Sequence, residues 1–175
     1  MKIQASSVIA HPRDRVLHAY RDELPLVAPY MNNIKEILVR ARDERPGGVK
    51  LHNEWVGRGD IPKVAQGIIK PEMLRWDDYA DWDSATTSCT WQIKLRVFTD
   101  KVTCAGRTVL ADDGGGRTRI TLDGELSMDL RDIPGVPRFL ASTITPQVEK
   151  FVVALVKPNL EQVNASLERY LDAKR

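Results

Sequence analysis

The sequence predicts an α+β domain, an antiparallel sheet of six or seven strands followed by one long C-terminal helix. Three observations carry this. Apolar residues alternate with a period of two through most of residues 34–130, and short turn-forming clusters separate the alternating runs. From Val148 to Leu171 they recur instead at steps of three or four, the spacing of a helix. Between the first strand and the second, Pro12 and Pro25 stand where short helices can begin.

Residues 2–9 form the first strand, with Ile3, Ala5, Ser7 and Ile9 on one face. Pro12 ends it and takes the first position of a helix, where a missing N–H costs nothing; Val16, Leu17 and Tyr20 follow at helical spacing. A second short helix holds Leu24, Val27, Ala28 and Met31, with Pro29 limiting its length. Residues 34–42 and 49–56 are strands joined by the turn Arg45-Pro46-Gly47-Gly48. Asp60 to Val64 reads either as a capped short helix or as an irregular entry into the next strand. Residues 74–82 alternate loosely, whereas Cys89, Trp91, Ile93, Leu95 and Val97 alternate strictly. Thr99-Asp100 makes a turn, residues 102–111 a further strand, and Asp112 to Gly116 a hairpin loop. The longest strict alternation runs from Thr118 to Leu130. Short connections of this kind make a meandering antiparallel sheet. The Arg131–Pro137 segment breaks the pattern, and the helical stripe after it contains Pro158, which is expected to bend or interrupt it.

Composition limits the function more than it defines it. With 42% hydrophobic and 29% charged residues, the 175-residue chain is an ordinary single globular domain able to bury a core without staples. No apolar run approaches the 18 to 20 or so residues that span a membrane, and the N-terminus lacks the apolar core of a secretory signal, so a cytoplasmic protein is expected. Lys and Arg number ten against eight Asp and Glu in residues 1–60, nine against eleven in 61–130, and seven against five in 131–175. No segment therefore concentrates basic charge, which disfavours nucleic acid as a partner.

The segment Ser7-Val8-Ile9-Ala10-His11-Pro12-Arg13-Asp14-Arg15-Val16, a strand ending followed by a proline-led helix, is similar to the opening of the START and polyketide-cyclase (SRPBCC) superfamily, which includes the birch pollen allergen family. The Gly114-Gly115-Gly116-Arg117-Thr118-Arg119-Ile120 hairpin, followed by a long strand and a helix, resembles it too, and the order of elements matches over essentially the whole chain. The Pro134-Gly135-Val136-Pro137 segment is more weakly similar to the phospholipid-carrying PRELI-like branch. The resemblance implies a helix-grip fold, a strongly curved sheet wrapped around the C-terminal helix. It also implies a cavity for a lipid, sterol or polyketide-like molecule, and in a minority of members cyclisation or dehydration chemistry. A bent sheet and one helix leave space that side chains do not fill, so a pocket of roughly 300 to 1,000 Å³ is expected.

Candidate chemistry is sparse. His11, His18 and His52 are read as surface or capping residues, because no nucleophile elbow or Cys–His arrangement accompanies them. Cys89 and Cys104 are read as small buried hydrophobes. The four carboxylates between Trp76 and Asp83 lack the glycine and closing glutamate of a calcium loop and are read as a solvated strand edge. Gly114-Gly115-Gly116 lacks the Lys-Ser or Lys-Thr of a phosphate loop, and the sequon at Asn164 lies in a helix and is set aside. No pattern calls for a cofactor or a metal.

The aromatic residues remain. Trp55, Trp76, Trp82 and Trp91 all fall in the sheet region, and an indole needs both an apolar surface and a partner for its N–H, which a cavity wall supplies. The expected cavity wall and rim comprise Tyr30, Trp55, Trp76, Trp91, Ile93, Leu122, Phe139, Phe151, Val152 and Leu155. Trp91, Ile93, Leu95, Ile120, Leu122 and Leu126 should face the concave side, which turns Lys94 and Arg96 to water. Residues 132–145, with Phe139, Leu140 and Ile144, are the expected rim, acting as a mobile lid or as part of a static bend.

The leading expectation is non-catalytic binding or transport of a hydrophobic small molecule, with transient membrane contact and oligomeric state left open. A cyclase or aromatase acting on a poly-carbonyl chain is the alternative, for which Arg96, Arg107 and Tyr30 are the nameable candidates. A third is an interaction module that regulates a chaperone, which requires an exposed apolar patch.

Overall fold

The computed structural model describes residues 1–58, 74–96, 101–128, 146, 150, 153, 158 and 160–174. Strand β1 (Lys2–Ile9) is followed by helices α1 (Arg13–Asp22) and α2 (Leu24–Val27), and a 3₁₀ turn (Ala28–Tyr30) leads to β2 (Ile34–Arg45). Then come β3 (Gly48–Gly57), β4 (Arg75–Asp83), β5 (Ser88–Leu95), β6 (Val102–Gly114) and β7 (Arg117–Met128). The C-terminal helix α3 is described over 160–172, and Pro146, Lys150, Val153 and Pro158 before it are also helical. The second predicted helix splits at Pro29, which supplies no N–H to continue the α-helical ladder. Pro12 caps α1 from one position outside rather than opening it: its carbonyl accepts from the Val16 N–H at 3.1 Å. The alternatives for Asp60–Val64, the Thr99-Asp100 turn and the 132–145 rim lie outside the described residues.

All seven strands form one antiparallel sheet in the order β1-β7-β6-β5-β4-β3-β2. Strands β1 and β2 follow one another in sequence yet occupy opposite edges. The α1–α2 segment must therefore cross the sheet, and it packs on β6 and β7 at one end and β2 at the other. The two-residue period then fixes a continuous inner face. Across it run Leu51, Ala80, Trp91, Gly106, Gly124 and Ile3 in register, flanked by the row Val49, Trp82, Cys89, Thr108, Leu122 and Ala5. Irregular pairing between Ile34 and Glu36 and between Val39 and Ala41 bends β2.

Helix α3 covers this face with Val163, Leu167, Tyr170 and Leu171, all buried in one core with the strands. Asn164 of the discarded sequon is buried as well. His11 is a correction to the sequence reading. It is buried rather than on the surface, and its Nε2 lies 2.9 Å from Asp172 of α3, while its carbonyl accepts from Thr118 Oγ1 at 2.7 Å. The Tyr30 carbonyl accepts from Ser166 and Arg169, Tyr170 donates to Glu23 at 2.9 Å, and Lys174 pairs with the same carboxylate. One end of α3 is thus fastened to both ends of the α1–α2 crossing.

The β6–β7 hairpin closes through Gly115-Gly116, both at positive φ (61° and 73°), the two-residue turn whose twist matches the strands. A side chain at Gly115 meets no atom, so only backbone strain opposes one. Gly115→Ala is expected to cost about 1–2 kcal/mol, read as a lower urea midpoint with an unchanged slope.

Candidate functional site

The sheet's inner face and α3 do not meet everywhere. Between them lies a pocket of about 640 Å³ of empty space including its mouth. Its described lining comes from β3 (Asn53, Trp55), β4 (Trp76, Asp78, Ala80, Trp82), β5 (Cys89, Trp91, Ile93), β6 (Thr108), the helices α1 and α2 (Tyr20, Leu24), and from Leu160 and Val163. All four tryptophans of the chain are in this wall.

Their geometry follows from neighbours of contrasting size. The Trp91 ring lies over Gly106 and Gly124, register partners on β6 and β7, at a distance that leaves no room for a Cβ. One added at Gly124 would stand 2.5 Å from Trp91 Cη2, and one at Gly106 would stand 2.5 Å from Cζ2. Neither glycine has positive φ, so space alone requires them. The Trp91 Nε1–H donates to Thr108 Oγ1 at 3.1 Å, which satisfies the indole on the sheet itself. Trp55 and Trp76 are register partners and stack with centroids 5.8 Å apart, and Tyr20 meets Trp82 edge-on at 5.3 Å.

One charged residue enters the described wall. Strand β4 is interior to the sheet, so the reading of its carboxylates as a solvated edge is overturned for Asp78, which has the parity of Trp76, Ala80 and Trp82. Burial raises its pKa to about 6, opposed in part by the Asn53 Nδ2–H, which donates to Oδ2 at 3.2 Å. The Trp55 indole N–H is near enough to favour the charged carboxyl as well, but it does not reach hydrogen-bond geometry. Burial also pushes the phenol of Tyr20 up, helped by the charges of Cys89 and Asp78. Both thiols are raised by burial, Cys104 to about 12, so neither is a ready nucleophile. Cys89 pairs with Thr108 while Cys104 pairs with Ile93, four positions along β5, or about 13 Å at strand spacing, too far for a disulfide.

The other side of the sheet carries the remaining charge. Arg96 faces outward as its parity requires and pairs with Glu54 and Asp77. Arg107 also faces outward and donates to Ser88 Oγ at 2.9 Å. Hydrogen bonds from Arg75 and Arg40 hold the Glu54 carboxyl down at about 2 despite its burial, assisted by the charge of Arg96. His52 lies on this face too, stacked on Tyr79 and 2.8 Å from Asp77, and His18 is on the wet side of α1 beside Asp22.

Of the expected cavity residues, the structure brings together Trp55, Trp76, Trp91 and Ile93. Tyr30 lies elsewhere, against Tyr170 at 5.8 Å, because the 3₁₀ turn directs it to the fastened end of α3. Leu122 is buried between Ala5 and Thr108 outside the lining, since β7 lies beyond β6 from the pocket. Phe139, Phe151, Val152 and Leu155 lie outside the described residues. Asn53, Asp78 and Tyr20 were missed, and Trp82, named with the other tryptophans, was left off the expected wall; Asn53 and Asp78 could have been found from their even spacing to Trp55, Trp76 and Trp82. Among the described residues no group of His, Cys, Asp and Glu could hold a metal ion, and no helix is long and apolar enough to cross a membrane.

No family model and no curated protein matches the sequence. The fold has solved counterparts. TTHA0849 from Thermus thermophilus is similar over 99% of this chain and 99% of its own, with 21% identity and a TM-score of 0.67. The Zhui aromatase/cyclase from Streptomyces sp. R1128 is similar over 100% of this chain and 96% of its own, with 15% identity and a TM-score of 0.65. The structure of Ara h 8.0201 follows at 99% and 98%, with 11% identity and a TM-score of 0.56. With its seven-stranded antiparallel sheet, two short helices after β1 and a C-terminal helix on the sheet, the chain has the helix-grip fold that these solved structures share.

The wall itself generates two predictions. Gly124→Ala drives a methyl into Trp91 and is expected to cost about 1–3 kcal/mol, with a changed near-ultraviolet circular dichroism signal from the displaced indole. Asp78 gives a pH signature. Between its ordinary 3.8 and about 6 the unfolded chain has released this proton while the folded chain still holds it. Stability therefore falls as pH rises through that window and levels off above it. Denaturation of wild type against Asp78→Asn should show a difference that grows by roughly 2 kcal/mol across the window; parallel profiles would contradict the assignment.

Proposed function

We propose that this chain binds a hydrophobic small molecule, of lipid, sterol or polyketide-like character, between the inner face of its sheet and α3. The observation that carries the reading is the wall: four tryptophans with Ile93, Leu24, Leu160 and Val163 around a pocket that opens to solvent. Core packing normally leaves few voids larger than a water molecule, and the enclosed part of this pocket, about 50 Å³, exceeds that, so an aromatic wall open to it points to a binding surface. The fold supports the same reading, since helix-grip proteins typically bind hydrophobic ligands. An interaction module is less well supported. The exposed large apolar side chains among the described residues, Met1, Leu26, Val39 and Tyr79, are spread over separate parts of the fold.

One observation favours a second reading, an enzyme of the aromatase/cyclase kind, which the likeness to the Zhui protein makes specific. Arg96 and Arg107, the candidates from sequence, point away from the pocket, but Asp78 points into it with a pKa of about 6, suited to hold or release a proton near neutrality. Tyr20 stands as a neutral donor on the same wall.

Native mass spectrometry of the purified protein, with extraction and identification of whatever is retained, tests the first reading. A retained apolar molecule, lost on substituting Trp91 with Ala, is the expected result. A protein that retains nothing and takes up nothing from a lipid or polyketide extract overturns it. If Asp78→Asn retains the molecule but abolishes its conversion to a product of different mass, the second reading replaces the first.

A further inference from the structure

Buried polar atoms in folded proteins almost always have partners. The described part of the pocket wall has two that do not, and they are neighbours. Asn53 and Trp55 are two residues apart on the inner face of β3, about 7 Å at strand spacing, and are 2% and 8% exposed. Asn53 commits its amide N–H to Asp78, which leaves Oδ1 buried with no partner among the described residues. Nε1 of Trp55 is likewise buried with no partner in hydrogen-bond geometry among the described residues, although it stands near enough to the Asp78 carboxyl to favour its charged form. Across the strand pair, Asn53 stands opposite Asp78 and Trp55 opposite Trp76, so these four side chains form one block of the wall. Trp91 differs: its Nε1 is satisfied by Thr108, and that part of the wall asks nothing of a ligand.

The missing partners specify chemistry. Nε1 of Trp55 only donates, and Oδ1 of Asn53 only accepts. A ligand ammonium would serve Asn53 and Asp78 but leave the indole unpaired. A carboxylate would serve the indole but face two acceptors. A ketone or ether would serve the indole and leave Asn53 orphaned. A hydroxyl both accepts and donates through one small group. We propose that the bound molecule carries an alcohol or phenol hydroxyl at the end that lies against Asn53, Trp55 and Asp78, with its apolar body against the other tryptophans. This inference rests on the small-molecule reading above and names the ligand's polar group.

Calorimetric titration of the full chain at neutral pH with 2-naphthol, 2-methoxynaphthalene and naphthalene tests it. Of the three, 2-naphthol is the most readily hydrated, so burial of apolar area alone ranks it last. The hydroxyl site predicts that it binds at least about ten-fold more tightly than the other two. Trp55→Phe and Asn53→Leu should each reduce that preference by about three-fold or more. An unchanged far-ultraviolet circular dichroism spectrum and a single cooperative urea transition in both variants report that the chain is still folded. Equal binding of all three compounds, or a preference that survives both substitutions, overturns the hydroxyl anchor and leaves the binding reading intact. Failure of all three to bind the wild-type chain overturns both.

Discussion

The packing of Trp91 against Gly106 and Gly124 is the contact on which the inner face depends. A sheet of seven strands under a single helix has more inner surface than the helix can cover, and large side chains must fold down onto the sheet or stand up into the space. Trp91 folds down. It lies over two backbones without side chains and is held by Thr108, so the widest residue in the row adds little height. Ala80, its register partner on β4, keeps the other side low. The cavity floor is made by this alternation of large and small residues across the strands, and the pocket opens above it.

The helix that closes the pocket is fastened at one end. His11 with Asp172, the Tyr30 carbonyl with Ser166 and Arg169, and Glu23 with Tyr170 and Lys174 tie residues 166–174 to the start, turn and end of the α1–α2 crossing. The crossing exists because β1 and β2 lie at opposite edges, so topology determines where α3 is anchored. Leu160 and Val163 reach the pocket only beyond this anchored stretch. The ties and the ligand wall thus belong to different turns of the same helix, and a change in the wall need not loosen the ties.

The sheet was largely readable in the sequence because a strand with one buried face writes its register as parity. Ile93 as an inward anchor correctly turned Lys94 and Arg96 outward, and the glycine clusters at 47–48 and 114–116 marked two of the hairpins. Parity also placed Asp78 with Trp76 and Trp82, but a run of four carboxylates reads as solvated surface if the residues are taken as a group. Strand order decided against that, because β4 has a neighbour on each side, and order is set by long-range pairing that no local pattern contains. The same limit applies to His11, whose partner Asp172 is 161 residues away. Tyr30 was misplaced for a related reason: a turn has no period from which to read a direction.

Asp77 and Asp78 show what a side of the sheet does to chemistry. They are consecutive, of the same type, and both partly buried. Burial would raise both, yet on the outer face His52 and Arg96 supply hydrogen bonds that hold Asp77 below the ordinary range. On the inner face Asp78 has one amide and aromatic walls, and it rises to about 6. The guanidinium groups of Arg75 and Arg96 lie on the outside, where Glu54 and Asp77 pair with them. The described inner wall consequently presents an acid that is neutral or charged according to small changes around it, and no fixed cation to hold an anion. A strongly anionic ligand would have to be desolvated against such a wall without a partner, which is costly, whereas an uncharged molecule with a single polar group fits its supply of donors and acceptors.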